Sequence, residues 1–170
     1  PSDLMAWNAD TTRMPARMHS EYLHRLYLAN ELASGRYLVD GHPVALQNLR
    51  LPIFAVGTET DHVAPWRSVY KLHYLTDSEL TFVLCSGGHN AGIVNEPGHP
   101  HRHFHVATRP RGAPCVSADE WRAAATTRDG SWWPAWHDWL AAHGTRRRVA
   151  PPPAGEAPLG DAPGQYVLVH

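Results

Sequence analysis

Two short apolar runs organise the middle of the chain. Leu51-Pro52-Ile53-Phe54-Ala55-Val56-Gly57 gives way to the polar stretch Thr58-Glu59-Thr60-Asp61-His62, and Leu80-Thr81-Phe82-Val83-Leu84-Cys85 gives way to Ser86-Gly87-Gly88-His89-Asn90-Ala91-Gly92. Unbroken apolar runs of this length, bounded by glycine and polar residues, predict buried strands over residues 51–57 and 80–85. Between them Pro65 opens a helix running to about Leu75, because proline suits a first turn whose N–H has no helical partner anyway. Strand, helix and strand in that order predict neighbouring parallel strands joined by a right-handed crossover.

Upstream, Tyr22, Leu23, Leu26, Tyr27, Asn30 and Leu32 recur at helical spacing, so residues 3–35 are predicted to be mostly helical, with Gly35 as the stop. Residues 36–50 read as extended, with Asp40-Gly41 turning between two short strands. Downstream, residues 86–115 are rich in Gly, Pro and His and predict a long ordered loop. Ser117-Ala118-Asp119-Glu120 is a capping box that opens a helix through about Ala125. Ser131 caps a last helix, with Trp133, Trp136, Trp139 and Leu140 on one stripe and Gly144 ending it. Beyond residue 145, proline and arginine dominate and poor packing is expected. The fold class is therefore α/β, a partial parallel sheet with flanking helices, whose small size points to further strands supplied upstream.

Composition narrows this picture. A chain of 170 residues with 43% hydrophobic content can bury one core. No apolar run approaches the roughly 20 residues of a membrane span, so none is expected. Pro1-Ser2-Asp3 has neither the basic stretch nor the apolar core of a signal peptide, and with no initiator Met it suits a fragment or a processed product. A net charge of −1 with 18% charged residues argues against nucleic acid as a partner. The two cysteines, Cys85 and Cys115, make no disulfide framework, and a cytoplasmic setting is expected.

The chemistry rests on Asp61 and His89. Alone, each reads as an ordinary turn or loop residue; together they form an acid after one strand and a histidine after the next. That is the order in which α/β-hydrolases deliver the last two members of a nucleophile–acid–histidine triad. No G-x-S-x-G turn precedes them, so the chain reads as the second half of an active site. His62 competes as acid or base, and Glu59 more weakly as the acid. Cys85 would complete a triad, but its place in an apolar strand reads as an inert small hydrophobe, and Cys115 has no base beside it in sequence. The run His99-Pro100-His101-Arg102-His103-Phe104-His105 could bind nickel or zinc opportunistically, but it lacks the gaps of a closed zinc site and reads as a polar loop, so no metal ligand is assigned. The tryptophans of residues 132–139 read as core or interface, with contact to an apolar polymer as an alternative.

Asp3-Leu4 with Trp7-Asn8-Ala9-Asp10-Thr11-Thr12, then Tyr27-Leu28-Ala29-Asn30-Glu31-Leu32, Asp61-His62-Val63-Ala64-Pro65-Trp66, Ser86-Gly87-Gly88-His89-Asn90-Ala91-Gly92 and Gly130-Ser131-Trp132-Trp133-Pro134 stand in this order. In that order they resemble the C-terminal part of polyhydroxyalkanoate synthases, most of all the class I and class II enzymes. The resemblance implies an α/β-hydrolase fold with a lid inserted before the catalytic aspartate. Residues 1–45 would end that lid, 46–144 would form the C-terminal half of the catalytic domain, and 145–170 a Pro-rich tail. Asp61 matches the catalytic aspartate and His89 the catalytic histidine. His62, Asn30 and Trp66 are candidates for supporting the pair or for substrate entry. The family nucleophile is a cysteine in a Gly-x-Cys-x-Gly turn upstream, absent from this sequence, so the 170 residues alone are expected to be inactive.

The implied reaction polymerises (R)-3-hydroxyacyl-coenzyme A into polyester with release of coenzyme A, and uses no cofactor beyond that thioester substrate. Implied partners are the growing polyester, the missing N-terminal half of the same enzyme, a second copy in a homodimer, and the polyester granule in the cytoplasm. Two other readings stay open: an α/β-hydrolase half-domain of an esterase or polyester depolymerase, and a non-catalytic module binding a partner synthase or the granule surface.

Overall fold

A computed structural model describes Met5, Asn8, Ala9 and residues 13–145 and 147–151. Most of the segment expected to be a Pro-rich tail, and the start of the expected N-terminal helix, lie outside the described residues. The chain divides into two units, one comprising Pro1–Asn30 with Arg148–His170 and the other Glu31–Arg147.

In the first unit, α1 (Ala16–Glu21) runs into a π-helical stretch, Tyr22–Leu28. The helix stops well before Gly35. Asn30 takes the left-handed conformation at φ 47°, which a short polar side chain tolerates and which ends a helix as glycine would. Gly35, also left-handed at φ 68°, closes a separate turn in the second unit.

The second unit opens with a hairpin, β1 (Tyr37–Val39) and β2 (His42–Val44). Asp40 at φ 49° and Gly41 at φ 78° form the turn, the positive-φ pair whose twist matches a two-residue hairpin. The remaining strands are β3 (Ile53–Thr58), β4 (Leu80–Cys85), β5 (His103–Arg109) and β6 (Thr126–Asp129), in the spatial order β3-β4-β5-β6. Between β3 and β4 lie α2 (Trp66–Tyr70) and α3 (Leu72–Leu75). Pro65 caps α2 as expected, but the helix breaks at Lys71 into two short pieces.

β3 and β4 are parallel, in register from Ile53↔Leu80 to Thr58↔Cys85. The sheet then departs from the expected parallel one: β5 runs antiparallel to β4, and β6 antiparallel to β5. Residues 86–115 are therefore not one long loop, and His103 and His105 of the histidine run are strand residues.

Every residue of β4 is buried, because both faces of the sheet are covered. Phe82 and Leu84 pack with Trp66 and Tyr70 of α2 and with Trp121 of α4 (Ala118–Ala124). Val83 and Cys85 pack on the other face with Phe104 and Trp132. The capping box of α4 forms as read: Ser117 Oγ accepts from the Glu120 N–H and Glu120 Oε2 accepts from the Ser117 N–H. The last helix, α5 (Trp133–His143), ends at Gly144. Ser131 Oγ accepts from the Trp133 N–H. The tryptophan stripe is only partly inward: Trp132 just before the helix is buried and Trp139 lies against Phe54, while Trp136 and Leu140 are exposed. Among the described residues, no helix is long and apolar enough to cross a membrane.

Candidate active site

Parallel pairing brings the carboxyl ends of β3 and β4 side by side, and the loops leaving them stay joined. The Glu59 N–H donates to Cys85 O at 2.9 Å and the Thr60 N–H to Gly87 O at 3.1 Å. Asp61 and His89 follow, 28 residues apart in sequence, with Asp61 Oδ2 2.9 Å from His89 Nδ1.

The other carboxylate oxygen, Oδ1, accepts from the backbone N–H groups of Val63 and Ala64, both at 2.8 Å. This is the local turn chemistry of an aspartate, and it aims the chain into Pro65 and α2. The Asp61 side chain is 8% exposed and that of His89 45%. Burial alone would raise the Asp61 pKa; the hydrogen bonds from Ala64, His89 and Val63 outweigh it and hold the carboxyl at about 2. Asp61 is thus an ionised acceptor, so His89 presents an Nδ1 proton to it and leaves Nε2 as the nitrogen able to take a proton elsewhere.

Glycine lets the His89 loop fold this tightly. Gly87 has φ 108°, and a Cβ there would lie 2.9 Å from the Gly92 backbone. A Cβ on Gly92 would come within 2.5 Å of Thr58 Cγ2 and 2.9 Å of Gly88 O.

Neither cysteine can serve this pair. Cys85 is fully buried, its thiol donates to Gly57 O and Gly92 O, and burial pushes its pKa up to about 12. Cys115 donates to His73 O and accepts from Arg109. Arg109 pairs with Leu80 at the start of β4, the opposite end of a strand roughly 20 Å long from the loop that carries His89.

The other candidates fall in different places. His62 is exposed on the loop between Asp61 and α2. Trp66 is 5% exposed within the core, with the Arg67 guanidinium 4.6 Å from its ring centroid. Asn30 ends the helix of the first unit. Glu59, the rival acid, is engaged elsewhere: Oε1 accepts from Arg122 at 2.9 Å and Oε2 lies 3.2 Å from His103 Nε2. Glu59, His103, His105 and Arg122 form a polar cluster that the sequence reading missed, although alternate histidines in a would-be strand were its available signal.

No protein-family profile matches the chain. A poly(3-hydroxyalkanoate) polymerase of Methylorubrum extorquens is 40% identical over 168 residues, covering 97% of this chain and 27% of the relative. The PhaC subunits of the poly(3-hydroxyalkanoate) polymerases of Cupriavidus necator and Rhizobium etli are 38% and 36% identical, over 98% and 99% of this chain and 28% and 26% of their own lengths. The chain belongs to the poly(3-hydroxyalkanoate) polymerase family. It spans about a quarter of the length of these polymerases, and that quarter contains the Asp61–His89 pair.

Proposed function

We propose that this chain is a C-terminal portion of a poly(3-hydroxyalkanoate) polymerase and contributes the acid and the histidine of its active site. The observation that carries the reading is the 2.9 Å contact between an aspartate and a half-exposed histidine on adjacent parallel strand ends. The resemblance implies a cysteine nucleophile; neither Cys85, which is sealed, nor Cys115, which lies at the wrong end of the sheet, fits that role, so the thiol belongs to another part of the polymerase.

His89 Nε2 takes the proton of that thiol, and the thiolate attacks the carbonyl of a hydroxyacyl-coenzyme A thioester. Coenzyme A leaves as a thiol, taking the proton from His89. His89 then removes the proton from a hydroxyl group, whose oxygen attacks the enzyme-bound acyl group; the new ester bond forms and the cysteine thiolate leaves and is reprotonated. Asp61 holds the Nδ1 proton throughout and offsets the charge of the imidazolium. The cycle needs no cofactor. The growing polyester, its granule in the cytoplasm and a second polymerase copy are the partners this reading expects.

The test is release of coenzyme A by the polymerase carrying this chain. His89→Ala should lower kcat by at least about a thousandfold, and Asp61→Asn by about a hundredfold or more, with little change in KM. A His89→Ala enzyme that keeps its rate would sink the assignment; ester hydrolysis without polymer growth by the unmodified protein would favour a hydrolase.

A further inference from the structure

The face of the sheet that carries α4 holds a second cluster of chemically capable side chains. His103 and His105 occupy alternate positions of β5 and so project to the same side. Glu59, the first residue after β3, reaches past the end of β4 to meet them. Its Oε2 is 3.2 Å from His103 Nε2 and its Oε1 is 3.7 Å from His105 Nε2. One potential ligand atom from each of the three residues lies within 4.8 Å of the others. The side chains of Glu59 and His105 are 17% and 16% exposed, while His103 at 39% leaves a way in from solvent.

These three groups are close enough to share one metal ion. Nitrogen and oxygen ligands about 2.0–2.1 Å from a tetrahedral zinc ion lie roughly 3.4 Å from one another. The nearest approaches, 3.2 Å to Oε2 and 3.7 Å to Oε1, run to different oxygens of Glu59, and one ligand atom from each residue lies within 4.8 Å of the others, so the side chains reach a common ion by rotating inward. Ligands of working metal sites are themselves oriented by outer hydrogen bonds, and two of these three are. Thr127 Oγ1 on β6 lies 3.0 Å from His105 Nδ1, which suits the tautomer with a bare Nε2. Arg122 on α4 donates to Glu59 Oε1 at 2.9 Å and leaves Oε2 free to bind. Imidazole nitrogens with one carboxylate select borderline divalent transition ions over magnesium or calcium.

We propose that Glu59, His103 and His105 bind one zinc-like divalent ion through three protein ligands, with a fourth position open. The ion joins the exit of β3 to β5, and through Arg122 to α4, two residues before Asp61. It clamps the base of the loop that presents the aspartate. Without an ion, the cluster is a polar hub centred on Glu59, held by the Arg122 ion pair.

The experiment uses tag-free protein carrying this chain, stripped with chelator and titrated with cobalt(II). One equivalent should bind, with the intense visible d–d bands of a four-coordinate ion, and zinc but not magnesium should displace it. Zinc should raise the melting temperature of the unmodified protein. His103→Ala, at the most exposed ligand, and Glu59→Gln should each weaken cobalt binding by at least tenfold and abolish the zinc-dependent shift in proteins whose circular dichroism is unchanged. The double substitution His99→Ala/His101→Ala should retain one equivalent. Absence of stoichiometric cobalt binding by folded protein overturns the site. So does binding that survives His103→Ala but is lost in the His99→Ala/His101→Ala protein, which would be chelation by the preceding loop.

Discussion

His73 sits on α3 with its ring 4.2 Å from that of Tyr70 and 5.8 Å from that of Phe82, and neither ring nitrogen has a hydrogen-bond partner. Burial, helped by the Arg109 guanidinium, lowers its pKa to about 4. The folded protein therefore keeps His73 neutral where the unfolded chain, titrating near 6.5, binds a proton. Stability is unaffected by this group above about pH 6.5 and falls as pH drops toward 4, with a slope approaching about 1.4 kcal/mol per unit. His105, also lowered chiefly by burial, adds to the same slope. We expect the urea midpoint to drop between pH 7 and pH 5, and His73→Phe to lose much of that drop. An equal drop in both proteins would show that His73 is protonated without penalty. At this scale the Asp61–His89 pair was legible because each member follows its own apolar run by four residues. The Glu59 cluster was not, because His103 lies 44 residues from Glu59 and only the fold brings them together.

Among the elements, β3 and β4 declare themselves because strands covered on both faces must be apolar throughout. β5 does not: His-Phe-His-Val-Ala-Thr-Arg buries only Phe104, exposes Thr108 and leaves the rest intermediate, and β6 is exposed along its whole length. Such strands take their identity from the ladder they join more than from their own composition. The β4–β5 connection carries the sharpest constraint. Gly92 lies where a Cβ would meet Thr58 Cγ2 at 2.5 Å and the fixed Gly88 carbonyl at 2.9 Å. Gly92→Ala should destabilise the protein by about 1–3 kcal/mol, in the range of an overpacked site. Thr58→Ser, which removes the offending methyl, should restore part of the loss. Thermal unfolding of the single and double variants measures this; additive losses would mean the two positions do not touch.

At the scale of the whole sheet, β3 and β6 are its two edges among the described residues, and β3 is the apolar one. Among the described residues β3 pairs only with β4, while β4 is flanked by β3 and β5. Ile53, Phe54, Ala55 and Val56 on that strand remain partly exposed. An apolar strand with an unpaired flank is prone to association. Concentrated 170-residue chain should self-associate and bind a hydrophobic dye, and the remainder of the polymerase supplied in trans should suppress both. A monomeric chain that ignores the dye would show that another segment already covers the strand. The vacant flank belongs to the strand that delivers Asp61, whereas the strand that delivers His89 is enclosed. On the proposed function, the aspartate stands at a seam and the histidine at an anchor. The position of the acid then depends on how β3 pairs with the rest of the polymerase, while the position of the histidine is set by contacts inside this chain.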